Sequence, residues 1–96
     1  MLPYFLEGDK MYNQKELIQL IETWNNTYPM TYKTNIKRLC DQKNIKPKQI
    51  EETLKVNYNS ARSYTNASHA ARIEFLTALK LAEMLETNIE EFLKKV

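Results

Sequence analysis

A single glycine, Gly8, serves the whole 96-residue chain, and only Pro3, Pro29 and Pro47 add to it as turn-formers. Tight hairpins depend on residues that accept positive φ or a preset φ, so this supply excludes an all-β fold built from many short turns. A helical chain is expected. The length suits one small domain with one core. Hydrophobic residues at 43% and charged residues at 27% are ordinary for a globular protein, so a core can be buried without the chain being membrane-like. One cysteine, Cys40, and one histidine, His69, leave no internal disulfide and no zinc finger. Residues 1–6 are apolar but lack the basic start and small-residue cleavage site of a signal peptide. No run approaches the roughly 20 apolar residues of a membrane span, and a cytoplasmic protein is expected.

Apolar spacing predicts six helices and no strand. Asn13 and Glu16 have capping-box spacing, and Leu17, Leu20, Ile21 and Trp24 follow on one face of a helix over about 14–27. Pro29 ends that stretch, and Thr31 or Thr34 can cap a second helix with Ile36, Leu39 and Cys40 inward and Asn44 at its end. Pro47 suits the first position of a third helix carrying Ile50 and Leu54. Asn57 or Asn59 caps a fourth, with Ala61 and Tyr64 inward. After a loop at 66–71, Ile73, Leu76, Leu79, Ala82, Met84 and Leu85 predict a long helix. Asn88 and Glu91 form a second capping box before Ile89, Phe92 and Leu93.

The net charge of +2 conceals a segregation. Residues 1–32 and 73–96 each sum to −2, whereas 33–72 sum to +6 through Lys33, Lys37, Arg38, Lys43, Lys46, Lys48, Lys55, Arg62 and Arg72 against Asp41, Glu51 and Glu52. A central basic stretch between acidic ends is the pattern of a polyanion binder, because each cation placed near a phosphate releases a condensed counterion. A merely solvated lysine-rich surface reads the same way.

From 36 to 93 the order of elements resembles the phage-repressor helix-turn-helix family of Cro, lambda-repressor-like and xenobiotic-response-element regulators. The run 45–61, from Ile45 through Pro47, Ile50, Leu54, Lys55 and Asn57 to Ala61, matches that family's helix-turn-helix without a gap. The stretch 81–93 is similar to its ending, an alanine-bearing helix, a polar cap and an acidic-hydrophobic last turn. Lys55 stands where the family has glycine, and Glu51, Ala61 and Pro47 also depart from its pattern. Cys40 and Thr65 stand where it often pairs an arginine with a glutamate, and losing both partners strands no charge.

The resemblance implies an all-α, lambda-repressor-like five-helix DNA-binding domain over 31–96, with residues 1–30 as an extension carrying an extra amphipathic helix. It implies a transcriptional regulator on double-stranded DNA, with the helix at about 58–65 in the major groove. Tyr58, Asn59, Arg62 and Ser63 would then face bases, and Lys48, Gln49, Ser60, Asn66 and Arg72 would face phosphates. A homodimer on a two-fold operator is expected, with Leu17, Leu20, Ile21 and Trp24 either packing onto the domain or, as the favoured reading, joining the subunits. No enzyme, cofactor or metal is indicated. Cys40 reads as core, His69 lacks a second ligand, and Asn57 and Tyr64 read as cap and packing. The departures from the family pattern, together with the apolar N-terminus, support an alternative: a protein-interaction module on the same scaffold, such as an anti-repressor, an antitoxin or an inhibitor of a host nuclease.

Overall fold

Asn13 opens the first helix as its spacing predicts: its Oδ1 accepts the Glu16 N–H at 2.8 Å, and Glu16 Oε1 accepts the Asn13 N–H at 3.2 Å. In the computed structural model, which describes residues 4–5 and 11–95, this helix is α1 (Gln14–Asn25). It is followed by α2 (Pro29–Lys43), α3 (Pro47–Leu54), α4 (Tyr58–Tyr64), α5 (Phe75–Met84) and a closing 3-10 helix (Ile89–Leu93). Among the described residues the protein is therefore all-helical apart from a minimal antiparallel pair, β1 (Tyr4–Phe5) with β2 (Met11–Tyr12), which the sequence pattern does not announce. Among the described residues no helix is long and apolar enough to cross a membrane.

Local rules account for most boundaries, and the exceptions are instructive. Pro47 and Asn57 stand where expected, the latter accepting the Ser60 N–H at 2.8 Å. Asn44 ends α2 in the left-handed region at φ 57°. Pro29 does more than stop α1; it is the first residue of α2, so neither Thr31 nor Thr34 is the cap. α5 begins at Phe75, leaving Ile73 in an irregular lead and Leu85 at the helix end. Asn88 precedes the 3-10 helix without capping it, and its Oδ1 is buried with no hydrogen-bond partner. Leu76, assigned to the apolar side by periodicity, is 69% exposed.

Trp24 is fully buried at the centre of the core. It stacks on Tyr32 of α2 at 4.0 Å between centroids, meets Phe75 of α5 edge-on and leans on Phe92 of the 3-10 helix, both at 6.4 Å. Its indole N–H donates to the Ile73 carbonyl at 2.8 Å, and the Ile73 N–H donates to the Tyr32 hydroxyl at 3.0 Å. The stripe offered as a subunit contact is thus corrected: Trp24 is inside the monomer, Leu20 packs on the same core, and Leu17 and Ile21 are half-buried. Residue 30 falls within the first turn of α2, and α1 shares the common core. A radius of gyration of 12.8 Å matches the roughly 13 Å of a single packed domain of about 100 residues. The apolar run at 1–6 lies largely outside the described residues.

Two buried polar side chains escape any local pattern. Asn35 donates to the carbonyls of Phe92 at 2.8 Å and Lys94 at 2.7 Å and accepts from Arg38, fastening the C-terminal turn to α2. Tyr12 donates its hydroxyl to Glu90 Oε1 at 2.7 Å, tying the N-terminal strand to that same turn.

Candidate nucleic-acid interface

α3 and α4 are short helices joined by a three-residue turn, with Ile50 and Ala61 buried on their inner faces. Lys55 begins the turn at φ 58°, ψ 42°, a left-handed geometry that glycine takes more easily than lysine. At the start of α3, Gln49 Oε1 accepts the Lys46 N–H at 2.7 Å, so this side chain serves the helix end. Lys48 pairs with Glu51 at 3.0 Å, and that hydrogen bond and charge push the lysine pKa up. Its ammonium remains in solvent.

Successive α-helical residues are separated by about 100°, so Tyr58, Asn59 and Arg62 fall within about 100° of arc. All three are exposed, Tyr58 by 44%. The Arg62 guanidinium carbon lies 6.0 Å from the Tyr58 ring centroid, which gives the arginine a rest position on the outer face of α4. No ion pair engages Arg62 among the described residues.

Ser63 is turned about 40° further round and does not belong to that face. Its hydroxyl accepts from Lys33 Nζ at 3.2 Å and lies 3.0 Å from His69 Nδ1. Arg72 has an intramolecular partner as well: it donates to the Trp24 carbonyl at 2.8 Å and its guanidinium carbon lies 5.9 Å from the Tyr32 ring centroid. Of the remaining phosphate candidates, Ser60 is half-buried beside its cap, and Asn66 is exposed with Oδ1 accepting the Ser68 N–H at 3.1 Å.

Lys33 is the residue that charge counting misplaces. It is fully buried in α2, donates to the His69 carbonyl at 2.8 Å as well as to Ser63, and burial pushes its pKa down. Together these bonds hold residues 65–74 against α2 and leave an open cleft of about 1210 Å³ between α4, that segment and the start of α5. Tyr64 lines the cleft with a pKa raised by burial and by nearby Glu74. Cys40 is buried in the core with its thiol pushed up to about 11, chiefly by burial. Compared with protein-family models, with curated proteins and with solved structures, the chain matches none.

Proposed function

We propose that the chain is a sequence-specific DNA-binding regulator of the phage-repressor type, in which α3 and α4 act as a helix-turn-helix and α4 enters the major groove. The observation that carries this reading is the outer face of α4, where Tyr58, Asn59 and Arg62 stand together in solvent on a short helix braced from behind by α3. Asparagine can bond an adenine edge and arginine a guanine edge bidentately. Lys48 and Asn66, exposed near the two ends of the pair, suit phosphate contacts that set register. Lys43, Lys46 and Lys55 add exposed cations with no ion-pair partner among the described residues. Since one such domain reads only a few base pairs, useful occupancy in a genome calls for two copies on a two-fold site.

Fluorescence anisotropy on duplexes selected from random DNA, repeated across salt concentrations, tests the reading. Binding should weaken linearly in log–log form as salt rises. Arg62→Ala should weaken the selected site by about 1–3 kcal/mol while barely affecting random duplex, whereas Lys48→Ala should weaken both alike. Affinity for any duplex weaker than ~10⁻⁴ M at low salt overturns it.

A protein partner in place of DNA draws on one observation, the exposure of Tyr28 at 80% and Met30 at 64% beside the α1–α2 junction. A stable complex with a protein and no duplex binding would select that reading.

A further inference from the structure

Lys33 is a buried charge with no counter-charge among the described residues. The two acceptors it meets, the Ser63 hydroxyl and the His69 carbonyl, are both neutral. A buried ammonium facing no carboxylate is unfavourable unless an anion comes near it. Ser63 and His69, the residues that hold Lys33, both line the cleft beside α4. The buried ammonium therefore lies 3.2 Å from the hydroxyl of a residue that lines the cleft. Arg62 and Arg72 line the same cleft. Arg72 uses one N–H on Trp24 and keeps further donors, since a guanidinium carries five. The carboxylate of the lining, Glu74, sits by Tyr64, which α4 places about 200° round from Arg62.

We infer that this cleft seats a phosphate group, held between Arg62 and Arg72 against Ser63 and His69, in the field of Lys33. The phosphate can belong to a DNA backbone or to a free nucleotide: a backbone phosphate takes Arg62 from base reading, so that Arg62→Ala weakens selected and random duplex alike, whereas a free nucleotide leaves duplex reading to the rest of α4. The chemistry is the same in both: oxygens that accept several charged donors and compensate a buried ammonium.

Amide resonances followed by NMR during titration with inorganic phosphate, then adenosine monophosphate, then a duplex, at ionic strength held constant with chloride, test this. Phosphate should give saturable shifts in the millimolar range, concentrated at 62–72. Arg62→Ala and Ser63→Ala, each checked for folding in the same spectra, should each weaken phosphate binding by about tenfold, the worth of one charge-assisted hydrogen bond. Tighter binding of the mononucleotide than of phosphate assigns the site to a free nucleotide; equal or weaker binding, with the duplex moving the same resonances, assigns it to DNA. Shifts that match those from chloride, or affinities within about twofold of the parent in both variants, overturn the inference. Duplex binding without a phosphate response at 62–72 removes it and leaves the DNA reading intact; a phosphate response without duplex binding does the reverse.

Discussion

Trp24→Phe isolates what joins α1 to the rest of the molecule. Phenylalanine keeps a ring over Tyr32 but removes the indole N–H that donates to the Ile73 carbonyl at 2.8 Å. That carbonyl belongs to a buried residue, and leaving it without its donor costs about 1–3 kcal/mol. The lost second ring adds a void. Complete truncation of a buried tryptophan to alanine costs about 3–5 kcal/mol, so the partial loss is set at about 1–2. The total, about 2–5 kcal/mol, is a large share of the roughly 5–15 kcal/mol that holds a domain folded. At about 4–8 °C per kcal/mol for a chain of this size, the midpoint should fall by at least about 8 °C. Thermal and denaturant unfolding followed by circular dichroism measures it. Fluorescence of the parent, whose sole tryptophan is Trp24, follows the same contact directly. The loss should not depend on protein concentration, as it would if Trp24 lay between subunits. A change within about 0.5 kcal/mol, the usual range for a surface site, would refute the placement of α1 in the core.

Lys55→Gly should raise the denaturation midpoint: relief of the left-handed strain, about 1–2 kcal/mol, outweighs the extra freedom glycine gives the unfolded chain, about 0.4–1. Lys55→Val should lower it, and the reverse order in the pair would remove the strain argument. Asn35→Ala withdraws the donors from the Phe92 and Lys94 carbonyls and should destabilise by about 2–3 kcal/mol, read as a lower urea midpoint and faster amide exchange in the 3-10 helix. Cys40 should resist alkylation in the native state at pH 8 and react on unfolding. Because its thiol keeps its proton up to about 11 when folded against 9.0 otherwise, stability should decline as pH rises between those values, whereas Cys40→Ala should flatten that decline in a pH series of denaturation midpoints.

What is legible in the sequence is what short-range chemistry decides. Asn13 with Glu16, Pro47, Asn57 and Asn44 act within four residues, so spacing alone locates them, whereas Lys55 is singled out by the family resemblance. The outer residues Tyr58, Asn59, Arg62 and Ser63 come from the family resemblance, and helical geometry turns Ser63 away from the other three. Periodicity finds an apolar stripe but not what covers it, which is why Trp24 reads equally as subunit contact or core. The charge count treats every lysine as solvated, the common case, and has no signal for Lys33, whose acceptors lie 30 and 36 residues away. Ser63 and Arg72 likewise have partners that no local pattern announces, because those partners are distant in the chain. Leu76 fails in the opposite sense, an apolar residue at a helical spacing that the core does not reach.

The Ile73 peptide is gripped on both sides, its carbonyl by Trp24 and its amide by Tyr32, although it lies outside every helix. Bonds spanning 49 and 41 residues cannot be released by fraying of a neighbouring turn; they open when α1 and α2 leave the core. The irregular stretch before α5 therefore exchanges its Ile73 hydrogen on the timescale of global opening, and the wall it gives the cleft is as durable as the fold itself.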